Sequence, residues 1–432
     1  MLEQLKSIIL DFQEIPLHPG IPRRLKVQPV PGKASICIGV RRSGKSTYLH
    51  QRMQQLVEAG VARQNILYLN FFDDRLSQLA ESGLGPVLEA YFSIFPEKKG
   101  MEKVYCFFDE IQAIPNWEPF MDRLLRTENC AVWLTGSSAR MLSKEMATQM
   151  RGRALSWEVF PFSFQEFLDS RGLKPEGALS TKKRLLAQKA FDEFWERGGF
   201  PETINLPEAL RIKIHQEYFH AVLFRDLVER HDIPHPRAVS DLARQLMDNA
   251  ASLYTINSLT GTLKSRGHKA PKSAVSDYLE WFEDAYFLFT VKKYDASLNK
   301  SNASPKKIYC VDHAMITSVA SGILVNSGHL LENLVFNALR RASPQIYYYK
   351  TRNNKEVDFL ILHERGERQL IQVCETLADP KTRKRELDAL AEAMRELELK
   401  NGLIVTRHEE GKVSLDAGTV EIVPAWRFCL LP

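Results

Sequence analysis

The chain lacks any apolar run approaching the roughly 18 residues that a membrane span needs, so membrane-spanning classes fall away first. Glycine and proline are sparse, 22 and 21 in 432 residues, with no low-complexity tract and no self-similar period. Collagen-like, disordered, solenoid and propeller architectures are thereby excluded. The six cysteines, Cys37, Cys106, Cys130, Cys310, Cys374 and Cys429, lie far apart and form no C-x-x-C pair. They read as buried thiols in a reducing compartment, with neither zinc nor disulfides implied. The opening segment, MLEQLKSIILDF, has no basic stretch leading into a clean apolar run, so a soluble cytoplasmic protein with no membrane partner is expected. Charge is nearly balanced: 58 Lys and Arg against 53 acids leave a net +5, which tolerates nucleic acid without demanding it. What is present is ordinary globular usage, 44% hydrophobic and 26% charged. The length suggests several domains at roughly 100–200 residues each.

The strongest pattern comes early. Ala34 to Gly39 is a short apolar run, and Gly39 to Ser46, GVRRSGKS, fits G-x-x-x-x-G-K-[ST] completely. Thr47 then opens a helical stretch reaching about Glu58, so strand, loop and helix occur in the order the motif requires. Glycines let backbone N–H groups curl around phosphate oxygens, and a helix N-terminus adds partial positive charge. Gly39, Arg41, Arg42, Ser43, Gly44, Lys45, Ser46 and Thr47 are therefore the candidate cradle for ATP. Lys45 would reach the β- and γ-phosphates and the Ser46 hydroxyl would ligate Mg²⁺.

A hydrolytic site needs a second element to hold magnesium and direct water. The β-prone run Lys103 to Phe108 ends in Asp109 and Glu110. Asp109 suits a water-mediated metal contact, and Glu110 suits orienting or polarising the attacking water. Ile66–Asn70 reads as a further strand. So does Ala131–Gly136, whose tip carries Ser137 and Ser138. Where a strand is inserted between the two motif strands, its tip offers a polar group to the γ-phosphate, and Ser137 or Ser138 could serve. Capping of the next helix is the competing role.

Taken together, GVRRSGKST, FFDEIQ, LTGSSARML, RGRALSWEVFPFSFQEFL, GGFPE and FRDLVERHD resemble the prokaryotic AAA-type P-loop ATPases that carry a C-terminal domain of unknown function. The resemblance runs over nearly the whole chain. It implies an α/β protein with a RecA-like parallel-sheet core over residues 1–163 and a helical lid over 164–235. A winged helix over 236–298 and a restriction-endonuclease-like α/β domain over 306–432 would follow. Related ATPases complete their site with an arginine that neutralises charge building on the γ-phosphoryl, often from a neighbouring subunit. Arg140, Arg151, Arg153 and Arg225 are candidates, and the Arg151-Gly152-Arg153 step favours Arg153. An arginine acting in trans would require a homo-oligomer, a hexamer being one size.

Past Phe164 the pattern is helical, with Phe164, Phe167 and Leu168 on one face and Phe191, Phe194 and Trp195 on another, as core residues fall. Gly198-Gly-Phe-Pro-Glu202 reads as a turn, and Arg225-Asp226 as an adjacent charge pair with a structural role or a reach to the nucleotide. Ser258 to Gly267 and the longer helix after Ala270, with a strand from Tyr286, make a helix–turn–helix with a wing. Lys264, Arg266, His268, Lys269 and Lys272 cluster at the turn, where such a module meets DNA phosphates.

After a polar linker, Asn299 to Pro305, comes an amphipathic helix carrying Glu332, then the strand Glu356-Val-Asp358, whose alternation puts both acids on one face. Leu370-Ile-Gln372-Val-Cys374-Glu375 is the following strand. Helix glutamate and strand aspartate resemble a nuclease metal site, but Gln372 and Cys374 stand where an acid and a lysine are required. Glu332 and Asp358 are therefore expected to be a vestigial site without cleavage. Three functions remain: a Mg²⁺-dependent ATPase acting on branched or single-stranded DNA, a nucleotide-dependent protein scaffold, and an ATP-gated nuclease.

Overall fold

The structure is a computed structural model that describes residues 1–137, 148, 150–174, 180–320, 326–363 and 366–430. It divides into two units, 1–160 with 284–286, and 161–283 with the residues from 287 onward.

The first unit is built on five strands, β1 (Ala34–Ile38), β2 (Ile66–Asn70), β3 (Val104–Asp109), β4 (Cys130–Gly136) and β5 (Ala154–Glu158). Their order is β2-β3-β4-β1-β5, and every pair is parallel. The inner strands β1, β3 and β4 are buried along most of their length, which is why they read as apolar runs rather than alternations, whereas the edge strand β5 is half-buried throughout. β4 lies between β1 and β3, as the inserted-strand expectation required. Phe12, Cys37, Leu49, Met53, Ile66, Phe107 and Trp133 form a core around the helix Lys45–Glu58. The Phe107 and Trp133 rings stack at 5.9 Å.

In the second unit nine strands form one mixed sheet: β6 (Leu253–Tyr254), β7 (Leu288–Lys293), β8 (Lys306–Cys310), β9 (Ile346–Lys350), β10 (Glu356–Leu362), β11 (Arg368–Cys374), β12 (Asn401–Thr406), β13 (Gly411–Leu415) and β14 (Gly418–Pro424). The order is β13-β14-β12-β11-β10-β9-β7-β8-β6. The helices Ile256–Ser265 and Lys272–Asp284 precede the antiparallel β7–β8 pair. Strands from before and after residues 299–305 belong to one sheet, because β7 pairs with β8 and, in parallel, with β9, Lys292 opposite Tyr347. Those residues are not an open linker. A short helix, Leu298–Ala303, occupies them, and Ser301 is buried with its hydroxyl donating to the Lys293 carbonyl at 2.6 Å. The helix Pro380–Glu396 packs Leu390, Ala393 and Met394 against Leu360, Leu370 and Ile404.

The glycine pair Gly198-Gly199 is a clamp as well as a turn. Gly198, at φ +73°, ends the helix Thr181–Arg197, and a Cβ there would lie 2.3 Å from Asp312 Oδ1. Asp312 in turn accepts the N–H groups of Gly199, Ala314 and Met315. Among the described residues no helix is long and apolar enough to cross a membrane. Cys37, Cys106, Cys310 and Cys374 are buried free thiols, whereas Cys130 and Cys429 are half-buried.

Candidate functional site

The loop after β1 owes its path to backbone conformations that only certain residues tolerate. Gly39 sits at φ +150°, and a Cβ there would meet the Val159 carbonyl oxygen at 2.2 Å. Arg42 has φ +64°, and Gly44, at φ +96°, is the left-handed N-cap of the helix Lys45–Glu58. Arg23 holds the loop from outside, donating to the Ser43 carbonyl at 2.7 Å and the Phe160 carbonyl at 2.6 Å. Lys45 is 4% exposed, and its ammonium donates to the Gly39 and Val40 carbonyls at 3.0 and 3.1 Å. Ser43 Oγ is buried with no hydrogen-bond partner among the described residues. Arg41 lies 5.9 Å from the centre of the Phe72 ring, Arg42 is exposed, and Thr47 packs near Gly20.

The carboxylates meet this loop from β3. Asp109 is fully buried and accepts hydrogen bonds from Thr135, Ser46 and Tyr68, the last at 3.1 Å. Burial raises its pKa above the usual carboxylate range, and the Thr135 and Ser46 hydroxyls oppose that rise. The two groups expected to hold Mg²⁺, Ser46 and Asp109, thus touch. Glu110 has φ +56°, a costly conformation for a residue with a Cβ. Its N–H donates to Thr135 Oγ1 at 2.9 Å and its carboxylate accepts from Gln112.

An Mg²⁺–nucleotide fits these residues. The loop supplies an orphaned hydroxyl at Ser43, a left-handed cradle at Gly44 and a lysine whose ammonium already donates to carbonyl oxygens of that loop, while Ser46 and Asp109 offer hard oxygens side by side.

The polar group on β4 that donates to the Asp109 carboxylate and accepts the Glu110 backbone N–H is Thr135, two residues before Ser137. Ser137 is buried just beyond the strand, and Ser138 and Arg140 lie outside the described residues. Thr135 carries no local signal, being a hydroxyl in the apolar run AVWLTG. Arg153 does not come to the phosphate loop of its own chain. Parallel pairing of Ala34 with Ala154 puts it at the opposite strand ends, roughly 16 Å along five residues of strand. There its guanidinium pairs with the buried Asp122 at 3.2 Å, beside Arg126 at 3.2 Å and Arg151 at 4.0 Å. The R-G-R step neutralises a buried acid in this chain. Arg225 is exposed, and its neighbour Asp226, in the π-helical segment Val222–Val228, pairs with Arg230 at 3.3 Å.

In the second unit Lys264, Arg266, Lys269 and Lys272 are all exposed around the turn between two helices, and His268 is held by Asp241 at 2.7 Å. Glu332 and Asp358 are brought together, both buried at the wall of a cleft of about 880 Å³. A residue the sequence reading passed over lies between them: Lys307 of β8, 2% exposed. Burial and the neighbouring charge of Asp358 push the Glu332 carboxyl up to about 7.

A five-stranded parallel sheet in this order, with a phosphate loop after β1 and paired carboxylates after β3, defines a P-loop ATPase core of the AAA type. Residues 32–168 match the family described as an AAA domain. Residues 188–323 and 327–428 match two domains of unknown function, DUF8612 and DUF4143. The chain is 34% identical to an uncharacterized protein of Methanocaldococcus jannaschii, covering 98% of this chain and 95% of that one. It is 29% identical to one of Haemophilus influenzae, covering 74% and 78%. It belongs to this family of prokaryotic AAA-domain proteins with a C-terminal DUF4143 domain. Similar solved structures include the ORC1 protein of Aeropyrum pernix in complex with DNA, 13% identical over 73% of this chain and 91% of that one, TM-score 0.31. Another is a replication initiator DnaA bound to AMPPCP and single-stranded DNA, 10% identical over 65% and 86%, TM-score 0.26. The strand order carries the fold assignment without them.

Proposed function

We propose that the chain is a Mg²⁺-dependent ATP hydrolase whose nucleotide cycle drives the binding or remodelling of branched or single-stranded DNA. The observation that carries the hydrolase is the meeting of Ser46, Asp109 and Thr135 at the mouth of the glycine loop, with Glu110 fixed beside them. Lys45 exchanges its two loop carbonyls for phosphate oxygens, Ser46 and Asp109 hold the metal, and Glu110 orients the water. Magnesium, when bound, neutralises charge on the β- and γ-phosphates. The exposed Lys264, Arg266, Lys269 and Lys272 support the DNA half, since a helix–turn–helix presents such cations to phosphates.

The test is ATP turnover with and without forked and single-stranded DNA. Wild type is expected to be stimulated, and Lys45→Ala to lose nucleotide binding. Changing the four basic turn residues to Glu should remove the stimulation and leave basal turnover. It should also lower the salt slope of DNA binding by about 3, at roughly 0.7–0.9 per phosphate contact. Unchanged turnover with every DNA shape, together with no binding shift, would end the DNA half. Completion of the site by an arginine from a second copy belongs to the same proposal. Mass in solution with and without a non-hydrolysable ATP analogue tests it, and a monomer in both states would reject it.

A further inference from the structure

The nuclease-like site in the second unit is already filled by a side chain. Lys307 Nζ lies 2.8 Å from Glu332 Oε1, 2.9 Å from Glu356 Oε1 and 2.9 Å from Asp358 Oδ1. An ammonium has three protons, and three carboxylates stand at ammonium distance, well beyond the roughly 2.0–2.1 Å of a magnesium–oxygen bond. Further partners hold two of these carboxylates. Glu332 Oε1 accepts from Tyr309 at 2.6 Å, and Asp358 Oδ2 accepts the Val373 N–H at 2.9 Å. Gln372 accepts the Asp358 N–H at 3.2 Å and donates to Glu386 at 2.7 Å, while the Cys374 thiol donates to the Thr376 carbonyl at 3.0 Å. Neither residue of β11 can turn to a metal without breaking those bonds. Among the described residues no group of three His, Cys, Asp or Glu side chains is arranged to hold a metal. The magnesium that the nuclease resemblance implies does not fit.

We propose that Lys307 is a built-in cation occupying the divalent-metal position between Glu332, Glu356 and Asp358, so that this domain is closed to metal-dependent phosphodiester cleavage. Tyr309 lies one pleat further along β8 and points to the same glutamate, so the strand supplies both the substitute charge and its orienting hydroxyl. Burial opposes the charge on Lys307, but the surrounding carboxylates outweigh it and hold its pKa well above the ordinary 10.5. This reading is independent of the nucleotide site.

The experiment measures Mn²⁺ binding to the full chain without nucleotide, by calorimetry and by the electron paramagnetic resonance of free Mn²⁺, in a Ser46→Ala, Asp109→Asn background that silences the phosphate loop. The parent should show no site that depends on Asp358, and Asp358→Asn should leave its titration unchanged. Lys307→Ala, which exposes three carboxylates around an empty position, should gain one equivalent of Mn²⁺, lost again on adding Asp358→Asn. A folded Lys307→Ala that gains no Mn²⁺ overturns the proposal. So does a parent whose Mn²⁺ binding disappears with Asp358→Asn, or a wild type whose Mg²⁺-dependent DNA cutting disappears with either Asp358→Asn or Lys307→Ala. If Lys307→Ala does not fold, the comparison of the parent with Asp358→Asn decides alone: equal titrations uphold the proposal, and a lost site refutes it.

Discussion

Thr135→Val removes one hydroxyl from the centre of the nucleotide site and changes almost nothing in volume. In the native protein that hydroxyl donates to the buried Asp109 carboxylate and accepts the Glu110 N–H at 2.9 Å. A hydrogen bond to a charged group contributes about 1.5–3 kcal/mol, and a buried N–H left without a partner costs about 1–3 kcal/mol. Asp109 retains Ser46 and Tyr68, so the lower part of that range applies, about 2–3 kcal/mol of lost stability. Thr135→Ser keeps the hydroxyl and should recover most of it. The catalytic effect is separate. Glu110 holds a left-handed backbone whose N–H is anchored by Thr135, so losing the anchor lets the carboxylate shift. A displacement of about 1 Å lowers turnover on the order of a hundredfold. KM for ATP should stay close to wild type, because Lys45 and the glycine loop are untouched. Urea unfolding and steady-state ATP turnover on the three proteins separate the effects. Wild-type kcat and wild-type unfolding in Thr135→Val would refute the assignment.

Other consequences are nearer to folding. Gly198→Ala should destabilise the second unit by more than about 2 kcal/mol, since its Cβ would overlap Asp312 and Ala314 at a positive φ. Gly267→Ala, at φ +88° with open space around it, should cost only about 1 kcal/mol in the same urea titration. His215 is buried between the Thr203 and Ser318 hydroxyls, and burial lowers its pKa below the ordinary 6.5. The unfolded chain therefore binds the extra proton, so this stability is complete above about pH 6.5 and is lost as pH falls below it. The urea midpoint should drop between about pH 7.5 and 5.5, and His215→Gln should flatten that drop. A midpoint independent of pH in wild type would discard the argument. Glu110→Gln should bind ATP yet fail to turn it over, which filter binding and phosphate release check together.

The phosphate loop was legible because its requirements are local. Gly39 and Gly44 are demanded by backbone angles and by close approach, and a strand and a helix must flank them within a few residues. β2 was legible from end to end, Ile66–Asn70, because a parallel strand covered on both faces shows as an uninterrupted apolar run between polar turns. The Asp109–Glu110 pair followed once the loop was found, since a strand ending in two acids has few other uses beside it.

Thr135 and Lys307 were not legible, and the reason is common to both. Each is a polar side chain inside a strand, and what it touches is decided by which strands become neighbours rather than by spacing. Thr135 meets Asp109 because β4 inserts beside β3, 26 positions away in sequence. Lys307 meets Glu332 and Asp358 across separations of 25 and 51 because β7 pairs with both β8 and β9, which closes the nine-stranded sheet. Read alone, Lys306-Lys-Ile-Tyr-Cys310 is a strand that begins on two solvated cations. Within the sheet, alternation sends Lys307 and Tyr309 inward together, while Lys306 stays partly exposed. A lone buried ammonium would be prohibitively costly, so its position already requires carboxylates around it. The sequence holds those carboxylates, and in it Glu332 and Asp358 resemble a vestigial metal site, with Glu356 only sharing a strand face with Asp358. Only the strand order shows that the chain supplies the cation itself.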